Sequence, residues 1–366
     1  MATEGLIGGS YLARYVLLNA VDISDYRVFP SRDIRNTPPA FQFTSASARA
    51  SGPLLEQAMP DSIVPGRAET FDQFLDRNGS VAFLAIQHDR LIAERYYHGY
   101  DHASVCTSFS TVKSFVSALV GIALHDRLIA RLDDPVGRYL PELTAPFWAP
   151  ITVRHLVSMS SGLKYDDRGF MPWDDQPRTY YALDLRQVAR QARPTEPPGL
   201  RFHYNNYNLL LLGLILERVT GGTVSAYLED KLWKPLGMEF SASWSMDSRR
   251  SGMEKMESGL NARAIDFAKF GRLYLRCGDW DGRQVVPESW VVESTTVEPG
   301  ARWTNYKYLW WILRSGRGRF MAVGNLGQFI YVAPDKDAVF LRFGRGQPRG
   351  WQQVYVQLFA ALAERL

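Results

Sequence analysis

The chain has 366 residues, 46% apolar and 22% charged, with a formal net charge of +4. That length and balance suit a globular protein with a substantial core. The small basic excess is spread without runs and gives no basis for a nucleic-acid partner, and no segment reaches the roughly 18 uninterrupted apolar residues of a membrane span.

Residues 6–21 are moderately apolar but interrupted by Arg14, and no basic leader or small-residue cleavage pattern accompanies them. They read as a tail or an amphipathic helix. Residues 28–70 are rich in Pro, Ser and Arg without sustained periodicity, so 1–70 is expected to be an extended wrap rather than a unit of its own. A short amphipathic helix follows over Glu69–Arg77, then an antiparallel hairpin of Ser80–Gln87 and Leu91–Tyr97. Val112, Phe115, Val116, Leu119, Val120, Ala123 and Leu124 recur at helical spacing and predict a long apolar helix starting near Ser110. Asp133–Leu143 reads as a Pro-punctuated loop, and Thr152–Met159 as a short helix capped by Thr152. Residues 164–200 combine charges, aromatics and prolines with a short helix over Leu183–Gln191, the mark of a lid or a solvated loop. Helices are expected over Tyr207–Val219, Val224–Trp233 and Ala262–Arg276. Three strands (Phe320–Val323, Phe329–Val332, Ala338–Phe343) and a helix over Gln352–Leu366 close the chain. Strands at both ends with helices between predict an α/β (α+β) fold. An antiparallel sheet domain (71–109 and 290–366) is flanked by helices and carries an inserted, mostly helical domain (110–289).

The stretch with most chemistry is Thr107–Phe115, which holds Ser110 and Lys113. Residues three apart share a helix face, so hydroxyl and amine can touch, and a desolvated lysine can take the serine proton. Free N–H groups at the helix start suit an oxyanion. With 26 serines and 8 lysines, chance supplies about half a Ser-x-x-Lys match. A second one, Ser161 to Lys164, lies in a Gly-containing segment with no amphipathic helix after it. Cys106, four residues before Ser110, has only His102 nearby as a partner and is the weaker nucleophile.

The segment Phe202–Asn208 sets Tyr204 and Asn206 just ahead of an apolar helix. A lysine ammonium beside Tyr204 would favour its phenolate and make it a base near neutrality; His203 is a weaker candidate. Gly324–Tyr331 forms a Gly-flanked turn between two strands, where Asn325 and Gly327 allow close backbone approach and Gln328 can present an N–H beside that of Ser110. Asp166, Asp167, Asp174 and Asp175, with Tyr181, make the 165–181 segment an acidic, aromatic candidate for binding a substrate ammonium.

These motifs in this order resemble the serine hydrolases of the penicillin-recognising, class C β-lactamase-like fold, which include DD-peptidases, related esterases and the 6-aminohexanoate-oligomer (nylon-oligomer) hydrolases. The resemblance runs from about Ser80 to the C-terminus and includes Leu156–Leu163, Gly259–Arg263 and Gly278–Gly282. It implies Ser110 as nucleophile, Lys113 as its proton partner, Tyr204 as general acid/base and Asn206 as the amide of the second motif. Where the family has Lys or His, a residue and Gly in the third motif, this chain has Asn325-Leu326-Gly327. The loss of that cation favours an esterase or small-amide hydrolase, nearest the nylon-oligomer branch, over a β-lactamase or DD-peptidase, for which Arg263, Arg314 or Arg345 would have to anchor a carboxylate. A catalytically silent sensor on the same scaffold is the alternative from another class. No cofactor and no metal are expected, since the six histidines are scattered without ligand spacing. The expected partners are a small-molecule ester or amide and, in assembly, a second copy in a homodimer. Cys106 and Cys277 fit free thiols in a reducing compartment, and a cytoplasmic location is expected.

Overall fold

Alternation along three strands sets the architecture. In Ser80–Gln87, Ala82, Leu84 and Ile86 enter one hydrophobic cluster while Phe83 and Ala85 enter another on the opposite face. Gln328–Ala333 divides in the same way into Ile330 and Val332 against Phe329 and Tyr331, and Ala338–Gly344 into Val339 and Leu341 against Ala338 and Phe340. A strand apolar on both faces needs cover on both, and the computed structural model supplies it. The structure describes residues 10–18, 21–45, 55–57, 59–60, 62–64, 69–167, 169–297, 305–314, 317–346 and 350–365. Parts of the expected wrap (46–54 and 65–68) and residues 6–9, 19 and 20 of the N-terminal apolar segment lie outside the described residues.

The main sheet has eight strands in the order Tyr306–Lys307, Trp310–Ile312, Phe320–Gly324, Gln328–Ala333, Ala338–Gly344, Ser80–Gln87, Arg90–Tyr96 and Thr44–Ser45. Neighbours are antiparallel except the last pair. Helices Phe71–Arg77 and Trp351–Arg365 cover one face, where Phe74, Tyr355, Leu358 and Phe359 pack on Phe329 and Tyr331. Helix Ala264–Leu275 covers the other, and Phe270 stacks on Phe115 of helix Val112–His125 with ring centroids 3.6 Å apart. Ala264–Leu275 therefore packs on the sheet, although it falls within the span expected to be an inserted helical unit.

A second sheet of four antiparallel strands runs Ser31–Ile34, Ala242–Ser245, Leu260–Arg263, Val105–Thr107. The N-terminal stretch is thus less of a wrap than its composition suggests, since it contributes one strand to each sheet. Helix Asn206–Thr220 packs against helices Val112–His125, Val153–Val157 and Leu185–Arg190. Thr152 caps Val153–Val157, its hydroxyl accepting from His155 N. Among the described residues no single helix is long and apolar enough to cross a membrane.

Helix Val112–His125 is tightly enclosed. A methyl on Gly121 would lie 2.3 Å from the indole ring of Trp290, itself buried and stacked on Tyr308. Gly121→Ala gains about 1 kcal/mol of helix propensity but forces a rigid ring aside, an overpacking that costs about 1–3 kcal/mol. The clash is expected to win, lowering Tm by roughly 2 °C or more, as read by differential scanning calorimetry; an unchanged or higher Tm would show that the ring has room to shift.

Candidate active site

Strand Val105–Thr107 delivers the chain to Ser108, whose N–H donates to Leu260 O at 2.8 Å. Phe109 follows at φ +41°, a region that a bulky side chain rarely enters and that costs on the order of 1–3 kcal/mol. Burial of Phe109 and the bond from Thr111 Oγ1 to Ser108 O (2.9 Å) hold it there. Phe109–Thr111 is a 3-10 turn that runs into helix Val112–His125, so Ser110 stands just ahead of the α-helix rather than in its first turn. The spacing of three still brings Lys113 Nζ to 2.8 Å from Ser110 Oγ.

Lys113 is 2% exposed. Its other hydrogen bond is to the carbonyl of Glu257, at 2.9 Å. Burial disfavours the ammonium and lowers its pKa from 10.5 to about 7, partly opposed by the Glu257 carboxylate. A neutral amine beside the serine is a proton acceptor.

Tyr204 is placed by the helix that follows it. Asn205 caps Asn206–Thr220, its Oδ1 accepting from Tyr207 N at 2.8 Å, while its Nδ2 donates to Leu163 O at 2.9 Å. His203 N donates to Met159 O at 2.8 Å, which fixes the segment on the near side. The Tyr204 ring stacks on Trp311, with centroids 6.0 Å apart, and Lys113 Nζ lies 5.0 Å from the ring centre. Burial raises the Tyr204 pKa well above the usual phenol range, with hydrogen bonding to Ser110 only partly offsetting it. The expectation of a Tyr204 phenolate held by a lysine ammonium is therefore corrected. Desolvation acts on both groups in favour of the neutral form, so the phenol stays protonated and the lysine is the group brought to about 7.

The strand edge beside Ser110 is Gly324, not Gln328. A Cβ on Gly324 would lie 2.6 Å from Ser108 O and 3.1 Å from Ser110 N, so only glycine permits this approach. Asn325–Gly327 then turns tightly, with Leu326 at φ +58° and Gly327 at φ +82°. Gln328 is 1% exposed and serves as a clip: its Nε2 donates to Asn325 O (3.0 Å) and Gly344 O (2.7 Å), and its Oε1 accepts from Gly344 N (2.9 Å). The stretch adjoining Ser110 thus reads Ala322-Val323-Gly324, and it too lacks a cation.

A small pocket opens beside Ser110; Asn206, Glu257 and Asn325 line it, whereas Gln328, Tyr181 and Asp174 do not. Asn206 Nδ2 donates to Tyr165 OH at 2.8 Å, and its buried Oδ1 has no protein partner. Glu257, 2% exposed, was not singled out from sequence. Its Oε1 accepts from Ser258 Oγ (2.8 Å) and pairs with Lys255 Nζ (3.4 Å), while Oε2 is buried without a partner. Asn206 and Glu257, which both line the pocket, thus each carry a buried acceptor oxygen that has no donor among the described residues.

The acidic stretch is used differently from expectation. Asp174 Oδ2 accepts from Met171 N (2.7 Å); Asp175 takes Tyr207 OH (2.7 Å) and Asp166 N (2.8 Å), so both tie down their own loop. The Tyr181 hydroxyl donates to Leu18 O, away from Ser110. Ser161 is buried in a turn, its Oγ accepting weakly from Leu163 N at 3.4 Å. Burial pushes the Cys106 thiol up to about 12, which leaves it inert. Arg263 is spent on Ala103 O and Ser241 O.

A family model described as Beta-lactamase matches residues 67–363. The chain is 24% identical over 305 residues, 75% of each chain, to the 6-aminohexanoate-dimer hydrolase of Paenarthrobacter ureafaciens. It is 28% identical over 161 residues, 43% of this chain and 38% of the other, to the teichoic acid D-alanine hydrolase of Staphylococcus aureus (strain MRSA252). A solved structure of a putative 6-aminohexanoate-dimer hydrolase from Bacillus anthracis superposes with a TM-score of 0.79 at 25% identity, covering 92% of this chain and 91% of that one.

The depressed lysine makes a pH prediction. Proton acceptance needs neutral Lys113, so kcat/KM should fall about ten-fold per unit as pH drops below about 7 and level off above it. Because the Glu257 carboxylate raises the Lys113 pKa, Glu257→Gln should move this acid limb to lower pH. Lys113→Arg, always protonated, should lose orders of magnitude of activity on both sides of the limb. A limb near the ordinary lysine value would remove Lys113 as the base.

Proposed function

This chain belongs to the β-lactamase family, and from that premise we propose that it is a serine hydrolase cleaving esters or small amides through an acyl-enzyme on Ser110. The observation that carries the reading is the 2.8 Å bond between Ser110 Oγ and a lysine whose burial brings it to about 7. Neutral Lys113 takes the hydroxyl proton as Oγ bonds to the substrate carbonyl carbon. Charge on the tetrahedral oxygen is met by the backbone N–H of Ser110 and, where the strand edge closes on it, that of Asn325. Tyr204, protonated and hydrogen-bonded to Ser110, relays the proton to the leaving oxygen or nitrogen as its bond to the carbonyl carbon breaks. Water then attacks the acyl ester, Lys113 accepts its proton, and the proton returns to Ser110 as the acid departs.

The two unsatisfied acceptors direct the choice of substrate. Asn206 Oδ1 and Glu257 Oε2 want hydrogen-bond donors, and a carboxylate attracts a cation in a partly desolvated pocket. Amino-terminated amides of the kind named for the Paenarthrobacter ureafaciens relative provide both an N–H and an ammonium. Substrates anchored by a carboxylate, as β-lactams and D-alanyl peptides are, would meet Glu257 and no opposing cation at Ala322–Gly324. In this reading the acidic contact is Glu257 rather than the 165–181 aspartates.

Turnover of p-nitrophenyl butyrate, nitrocefin and a 6-aminohexanoate dimer should be compared. Ser110→Ala is expected to abolish activity and labelling by a fluorophosphonate while keeping the fold, and Ser161→Ala to keep most of both. Tyr204→Phe should cost several orders of magnitude, with a strongly non-additive double mutant alongside Lys113→Met. Activity that survives Ser110→Ala would end the assignment.

On the amino-terminated amide, Glu257→Gln should lose roughly ten-fold more kcat/KM than on an isosteric substrate whose amine is replaced by methyl. The excess should lie in KM and shrink at high salt. An equal loss on both substrates would remove Glu257 from recognition.

A further inference from the structure

The family match begins at residue 67, yet the pocket beside Ser110 is also lined by Val21. We propose that residues 10–18 and 21–29 are a working wall of the substrate pocket and that Val21 sets the size of the acyl group it admits. The inference rests on the serine-hydrolase reading and adds to it a determinant that lies ahead of the family match.

Two further lining residues, Phe170 and Tyr180, are held by the same segment. Tyr15 OH donates to Phe170 O at 2.6 Å, and its ring lies 6.1 Å from the Phe170 ring. Tyr11 OH donates to Pro172 O, and Tyr181 OH to Leu18 O. Tyr180 OH donates to Asp25 Oδ2 at 2.9 Å, and Asp25 is itself buried. The segment is anchored at both ends. Arg14, 2% exposed, donates to Asp247 O and packs over Phe29. At the far end Met246 N donates to Pro30 O at 2.6 Å, just before strand Ser31–Ile34 pairs with Ala242–Ser245.

The anchoring reaches the reacting groups. Lys255 Nζ sits 4.5 Å from the Phe29 ring centre and 3.9 Å from that of Tyr180, and it pairs with Glu257 at 3.4 Å. One buried cation thus joins the N-terminal segment, the 170–181 segment and the pocket carboxylate. Val21, Phe109, Phe170 and Tyr180 give the pocket its apolar lining, and Asn206 and Glu257 are among its polar lining residues. An aliphatic chain fits the first and a donor the second, and Val21 is the aliphatic side chain of the apolar lining whose volume can be changed without touching those reacting groups.

The test uses the full chain and a series of p-nitrophenyl esters from acetate to octanoate, with labelling of Ser110 by an ethyl and a dodecyl fluorophosphonate. Val21→Ala should raise the octanoate-to-acetate ratio of kcat/KM roughly ten-fold, and Val21→Phe should lower it by a similar factor. Asp25→Ala, which releases Tyr180 from the segment, should move the ratio in the same direction as Val21→Ala. A merely stabilising segment would change Tm or the overall rate but leave the ratio and the relative labelling by the two probes where they were, and that result overturns the proposal. Failure of both probes to label the wild type would overturn the hydrolase reading and this inference together, whereas labelling with an unaltered size dependence overturns this inference alone.

Discussion

The site depends on keeping one amine dry. Lys113 is sealed in the core with two hydrogen-bond partners, Ser110 Oγ and Glu257 O. Were it open to water, it would be an ammonium at neutral pH and could accept nothing. The layers serve that condition. Helix Val112–His125 meets Ala264–Leu275, which in turn covers the main sheet, through the stacked rings of Phe115 and Phe270. Glu257 then has two functions at two atoms. Its carbonyl orients the amine and its carboxylate, through space, keeps the pKa from falling further.

What the sequence revealed, and what it did not, follows from how local each determinant is. Ser110 and Lys113 were readable because a helix brings residues three apart together wherever it lies. The period-two alternation of Ser80–Gln87 and the closing strands was readable for a similar reason: each strand carries its own pattern. Tyr204 was placed by a local signal, an asparagine before an apolar helix, and Asn205 is the capping residue.

The remainder is long-range. Whether Gly324 or Gln328 adjoins the serine depends on where a strand stops, and Gly324-Asn325-Leu326-Gly327 offers two glycines with equal local claims. Only the contact with Ser108 O and Ser110 N decides between them. Glu257 lies in an aperiodic stretch 144 positions from Lys113, with no local pattern to mark it beyond its place just before Gly259–Arg263. Composition made 1–70 look like a wrap, whereas Tyr11, Arg14 and Tyr15 hydrogen-bond to Pro172, Asp247 and Phe170, the last of which lines the pocket beside Ser110. Four aspartates close in sequence looked like a binding patch. In the fold Asp174 and Asp175 are consumed by nearby N–H and hydroxyl donors, the usual fate of carboxylates in a tightly turned loop.

Several unfavourable features of this protein meet at the pocket beside Ser110. Phe109 holds a left-handed φ, Lys113 is buried as a base, and Asn206 Oδ1 and Glu257 Oε2 are buried without donors. Each costs on the order of 1–3 kcal/mol, so together they rival the whole net stability of an ordinary domain. Such a cluster persists only where its surroundings over-determine it. Ser108 is locked to strand Leu260–Arg263, Asn205 to Leu163, and Lys255 between two aromatic rings. A structural role alone would not require strain, a depressed amine and missing donors to share one pocket. The proposed catalysis would, because a substrate and its transition state would supply the partners that the resting protein leaves out.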